Sequence, residues 1–294
     1  MTARAFFVAA DGRPHAPWRI LLFLVITAVV MTLATVALFP VARAVNKWVG
    51  EGLGFSETVL VALSLLAAHF VMLRWIDRKP WSHVALHREA ARLRLLITGW
   101  WLGAWTIALP SALLFGVGML TVIASAPGSW WVASAKVTAT LIPAAFEEEL
   151  LSRGYLFATL REWLGRWTAL LTTSLGFGLL HLGNPGADVW SITMVTLAGI
   201  FLGVVLLATG SLYAAWMAHW SWNWVMAVPM HIAVSGLPLP YPDYKTVETG
   251  PDWLTGGQWG PEGGMAAAFG MLLGFGYIYW RYRKPSTDPS LRSG

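Results

Sequence analysis

Residues 20–42 read ILLFLVITAVVMTLATVALFPVA, a run without one charged side chain. At about 1.5 Å per residue it makes a helix long enough for the ~30 Å hydrocarbon core of a bilayer. Further apolar stretches follow near 57–73, 95–120, 130–150, 167–183, 189–209, 211–230 and 265–280. The expected fold class is therefore all-α: a polytopic membrane protein with eight transmembrane helices around a polar cavity. Residues 1–294 read as a single transmembrane domain with flexible tails at 1–17 and 284–294. The first run exceeds the 7 to 15 residues of a signal-peptide core, so it is read as a span and not as a cleaved leader.

Composition agrees with this reading. Apolar residues make up 56% of the chain and charged residues 12%, whereas soluble domains carry about 25% charge; a typical soluble enzyme is excluded. The 29 glycines suit close helix packing, and the 19 tryptophans suit bilayer interfaces. The absence of cysteine excludes disulfides, thiol-attached haem, iron–sulfur clusters and Cys-ligated zinc. Although the net charge is +5, its placement points to loops and not to nucleic acid. Arg4, Arg13 and Arg19 precede the first span; Arg74, Arg78, Lys79, Arg88, Arg92 and Arg94 follow the second. Arg153, Arg161 and Arg166 lie between the fourth and fifth, and Arg281, Arg283, Lys284 and Arg292 close the chain. All of these fall on one side, against Arg43, Lys47 and Lys245 on the other, with Lys136 inside a span. The positive-inside bias then puts both termini in the cytoplasm, in an inner or plasma membrane, and residues 231–263 outside. The spaced pairs Gly99/Gly103, Gly199/Gly203 and Gly270/Gly274 are expected to pack helices within the bundle.

Ionisable groups within apolar spans are costly and mark candidate sites. The fourth span ends in Phe146-Glu147-Glu148-Glu149 and continues to Arg153, as one helix expected to run to about Glu162. Glu149 and Arg153 stand four apart, the favourable order for an ion pair, which leaves Glu148 about 100° round the helix. Glu147 reads as a helix-end carboxylate in contact with water. Phe177 and His181 share one helix face, as do His219 and Asn223. If the fourth and fifth spans form a hairpin turning near Gly165, Glu148 lies 17 residues before the turn and His181 lies 16 after it, at matching depth. His219 falls about 12 Å into its helix from Ser211. A carboxylate, two imidazoles and a carboxamide can therefore converge inside the membrane from the cytoplasmic side.

In that order, Glu148-Glu149-x-x-x-Arg153, Phe177-x-x-x-His181 and His219-x-x-x-Asn223 resemble the CPBP family of intramembrane proteases, also called the CAAX protease, bacteriocin-processing or Abi family, with its Rce1-type members. The resemblance covers roughly residues 130–230; the first spans carry no such motif. It implies a glutamate-type endopeptidase acting on a membrane-associated or lipidated peptide, with a prenylated CAAX C-terminus as one candidate and membrane lipid as surroundings. Burial raises a carboxylate toward the range of a useful base, so Glu148 is the expected general base and His181 the group that orients the water or shuttles its proton. His219 and Asn223 offer donors to an oxyanion; Glu149, Arg153 and Phe177 support them. No cofactor is expected. Zinc on Glu148, His181 and His219 is the chemical alternative, although the HExxH helix is absent. A non-catalytic immunity or scaffold protein and a proton-coupled transporter are the alternatives outside enzymology.

Overall fold

The computed structural model describes residues 7–8 and 11–283. The tails expected to be flexible, 1–17 and 284–294, fall largely outside these residues. Their described part is residues 7–8 and 11–17, of which 16 and 17 already belong to the first helix. The elements in chain order are α1 (Ala16–Val49), α2 (Phe55–Val71) with a π-helical extension over Met72–Ile76, α3 (Leu93–Gly116), β1 (Leu120–Ala124), α4 (Trp130–Arg153), α5 (Tyr155–Leu164), α6 (Arg166–Leu180), α7 (Val189–Thr209), α8 (Leu212–Ala227), β2 (Tyr244–Glu248) and α9 (Met265–Tyr282).

Each of the eight apolar stretches is helical in its greater part. Among the described residues, four helices are both long and apolar enough to cross a membrane: α1, α2 with its extension, α3 and α7. On α1, Leu21, Val25, Val29, Leu33 and Val36 face outward, a continuous apolar surface that water would not tolerate and lipid would. All three glycine pairs sit at helix contacts inside the bundle. A Cβ on Gly99 or Gly103 would overlap the Ala214 or Ala218 carbonyl of α8; Gly199 and Gly203 meet Ser174 and Leu170 of α6, and Gly270 and Gly274 meet Thr106 and Phe201.

Two local features differ from the expectation. The stretch read as 95–120 leaves the helix after Gly116 and turns at Gly118 (φ +74°). β1 then pairs antiparallel with β2, from Leu120 opposite Glu248 to Ala124 opposite Tyr244. Thr121, Val122, Ile123, Thr246 and Val247 supply the branched side chains that such a ribbon favours. Burial pushes the Glu248 carboxyl at its end up to about 8, although the Thr255 hydroxyl donates to it at 2.9 Å.

The second difference is a break where one helix was expected to run to Glu162. α4 stops at Gly154 (ψ −121°) because the His69 ring of α2 occupies the place where a side chain at 154 would stand. His69 Nδ1–H donates to the Leu65 carbonyl at 2.7 Å, which leaves Nε2 to accept the Tyr155 N–H at 2.9 Å. The chain then bends into α5, whose far end is tied to α1: buried Arg19 donates to Asp77 at 2.9 Å and to Glu162 at 3.1 Å. Tyr155 donates its hydroxyl to Asp77 at 2.7 Å, and Lys79 pairs with Glu162.

Candidate active site

Steps of three and four residues put Leu141, Ala144, Glu148 and Leu151 of α4 along one wall of a cavity of about 320 Å³. Glu147 lies on that wall too, half-buried on the cavity and not at a helix end in water, because α4 continues for another turn and a half beyond it. Phe177, Leu180 and His181 from α6 and its last turn, Asn223 from α8, and Val234, Ser235, Leu237 and Leu239 complete the enclosure with Val61 and Leu65 of α2.

Within it, Glu148 Oε2 stands 3.9 Å from His181 Nε2 and 3.8 Å from His219 Nε2. These separations exceed a direct hydrogen bond and are the kind that one water spans. Both rings are held from behind. His181 donates Nδ1–H to the Phe177 carbonyl at 2.9 Å, one helical turn back. His219 donates Nδ1–H to Glu149 Oε1 at 3.0 Å. A carbonyl oxygen only accepts, so the His181 tautomer is set, with Nε2 turned to Glu148.

Glu149 has no exposure and Arg153 has 1%. Their side chains meet at 3.0 Å, and the second guanidinium nitrogen donates to the Gly199 carbonyl of α7 at 2.8 Å. The guanidinium carbon lies 4.4 Å over the Phe177 ring, whose edge also meets His219 with centroids 5.7 Å apart. Glu149, Arg153 and Phe177 thus form one packed unit behind the two histidines. Asn223 is 9% exposed and lines both this cavity and a smaller one of about 20 Å³ shared with His181, His219, Trp222, Ser235 and Glu262.

The seven positions singled out in the sequence are therefore brought to one place. The depth argument needs one correction. From Arg166, His181 lies about 22 Å along its helix, whereas His219 lies only about 12 Å from Ser211. The two meet because the start of α8 is recessed beneath residues 81–91: Ser211 donates its hydroxyl to the Ala90 carbonyl at 2.6 Å, and Leu212 N–H donates to the Ala85 carbonyl at 3.1 Å. Sequence reasoning missed Ser235 and Glu262, which reach the site from the 231–263 segment. Among the described residues, no group of three His, Asp or Glu side chains is spaced to hold a metal ion.

Residues 129–225, which include all seven of these positions, match the model of the Rce1-like family, described as type II CAAX prenyl endopeptidase Rce1-like. No curated protein matches the chain, and no solved structure does. The long apolar helices and the family match agree on an integral membrane protein. The segment that carries the carboxylate, both imidazoles and the carboxamide is thus an Rce1-like region.

Proposed function

We propose that the chain is an intramembrane endopeptidase in which Glu148 activates a water against a peptide carbonyl. The observation that carries this is the Glu148 carboxylate facing two Nε2 atoms whose rings are fixed from behind, at distances of 3.9 and 3.8 Å. In the proposed step Glu148 takes a proton from the water, the water oxygen bonds to the carbonyl carbon, and the carbonyl electrons move onto its oxygen. Asn223 and protonated His219 donate to that oxyanion from fixed positions one turn apart on α8. The C–N bond then breaks, and the proton held by Glu148 passes by way of His181 to the leaving amine. The apolar walls fit a membrane-associated peptide, and the family description makes a prenylated C-terminus a candidate substrate.

All the helices named above except the ten-residue α5 are read as spans, eight in number, with both termini cytoplasmic. α6 and α8, at 15 and 16 residues, need their adjoining turns to complete a crossing of ~30 Å. Glu148→Gln tests the chemistry, since the amide keeps size and hydrogen bonding but cannot accept the proton. Cleavage should fall about 10²- to 10⁴-fold with folding retained. Activity that instead tracks bound zinc, is lost to a chelator and returns with metal would replace this mechanism and make Glu148, His181 and His219 ligands.

A further inference from the structure

We propose that Glu262 is a positioning residue that clamps Ser235 to Trp222, and so fixes residues 234–239 as the cavity wall facing Glu148. The proposal rests on the endopeptidase reading of that cavity. Glu262 comes from the Pro-, Gly- and Trp-rich segment 231–263, expected on the extracytoplasmic side, and it is 7% exposed. Both oxygens are occupied. Oε1 accepts the Ser235 N–H at 2.5 Å and its hydroxyl at 2.6 Å; Oε2 accepts Trp222 Nε1–H at 3.0 Å. Hydrogen bonds to an ionised acceptor are about twice as strong as neutral ones, and here three of them converge on a carboxylate that pairs with no cation among the described residues.

The clamped segment would not hold this shape unaided. Ser235 adopts φ +50°, a left-handed conformation in which the Cβ crowds the following carbonyl oxygen. It is pinned from the other side as well: Asn184, three residues after His181, donates to the Ser235 carbonyl at 2.9 Å. Gly236 N–H donates to the Trp259 carbonyl at 2.9 Å, and Gly236 (φ +74°) lies so close to Pro185 that a Cβ would overlap the Pro185 carbonyl. Val234, Ser235, Leu237 and Leu239 are thereby presented to the cavity. Trp222, on α8, is the anchor to which that wall is held. Glu262 acts through these neighbours and not on the reacting atoms.

The test uses the cysteine-free chain with Val234→Cys as reporter, a wall position only 6% exposed, in the Glu262, Glu262→Gln and Trp222→Phe backgrounds, each in phosphatidylcholine–phosphatidylglycerol vesicles. A glutamine has one acceptor oxygen and so cannot serve Ser235 and Trp222 together. Maleimide labelling of Val234→Cys should accelerate at least fivefold in Glu262→Gln and less in Trp222→Phe, which cuts a single leg and covers the case in which the first variant does not fold. Against a pool of internally quenched prenylated and unprenylated peptides, KM should rise about tenfold with kcat changed less than threefold. The double variant should be no worse than Glu262→Gln, because the two residues act as one unit. Unchanged labelling overturns the clamp, and a fall in kcat at constant KM overturns the positioning role. If the unsubstituted protein cleaves nothing in the pool, the endopeptidase reading fails while the labelling arm still decides the clamp.

Discussion

Arg153→Met probes the packed unit behind the histidines. The Arg153 and Glu149 side chains are both wholly buried and meet at 3.0 Å, and Arg153 also serves the Gly199 carbonyl at 2.8 Å. Methionine fills much of the same space but leaves Glu149 with one donor, His219 Nδ1–H, and leaves the Gly199 carbonyl with its helical bond alone. Breaking a buried pair from one side costs about 3–5 kcal/mol. The double variant Glu149→Gln/Arg153→Met removes both charges while the glutamine oxygen still accepts from His219. It should therefore recover more than half of the loss, leaving about 2 kcal/mol or less. Reversible unfolding in mixed micelles, followed by tryptophan fluorescence, measures both. A single-variant cost under about 1 kcal/mol, or a double variant as unstable as the single, would refute the account of Glu149 as a buried charge dependent on Arg153.

Asn223→Ala should lower kcat about 10²- to 10³-fold by removing one oxyanion donor, with the unfolding midpoint unchanged; retention of full turnover removes Asn223 from the chemistry. Asp243→Cys, on the exposed stretch before β2, should react with an impermeant maleimide only from the extracytoplasmic side, and labelling from the cytoplasm alone inverts the topology. Because burial pushes Glu248 up to about 8, the folded state holds this proton more tightly than the unfolded chain does. Its contribution to stability is full below the ordinary carboxylate range and is lost as pH rises through about 8. Melting measured from pH 5 to 9 should show that decline in the unsubstituted protein and not in Glu248→Gln; parallel curves would show that Glu248 is not the group responsible.

The helical bundle and most of the site were legible because both are written in short-range periodicity. Apolar runs of bilayer length mark the helices, and the four-residue spacings Phe177/His181 and His219/Asn223 put each pair on one face. What escaped depends on contacts between distant segments. The end of α4 is decided by His69, a residue on another helix that nothing near Gly154 announces. Glu147 was read as a carboxylate in water because the cavity that half-buries it is closed by distant segments, α2, α6, α8 and residues 234–239, which nothing near Glu147 announces. Glu262 and Ser235 lie in a segment without periodic signal, and their pairing exists only once residues 231–263 fold back over α8. The ribbon of β1 and β2 was hidden by the same cause, since its two strands lie more than a hundred residues apart.

The contact between His69 and Tyr155 bears on how far the site could be separated from the rest of the chain. A fragment trimmed to residues 129–225 would retain all seven site positions, but not the imidazole that receives the Tyr155 N–H or the Asp77 carboxylate that receives its hydroxyl. It would also lose Val61 and Leu65, and with them one side of the enclosure. Two buried donors would lose their acceptors at the bend, at about 1–3 kcal/mol each, on the turn that sets the direction of Glu148, Glu149 and Arg153. The amino-terminal hairpin is therefore part of the scaffold of the proposed site although it contributes no reacting group to it. Chimeras that graft the Rce1-like region onto foreign leading helices should function only when an acceptor is rebuilt at the position of His69.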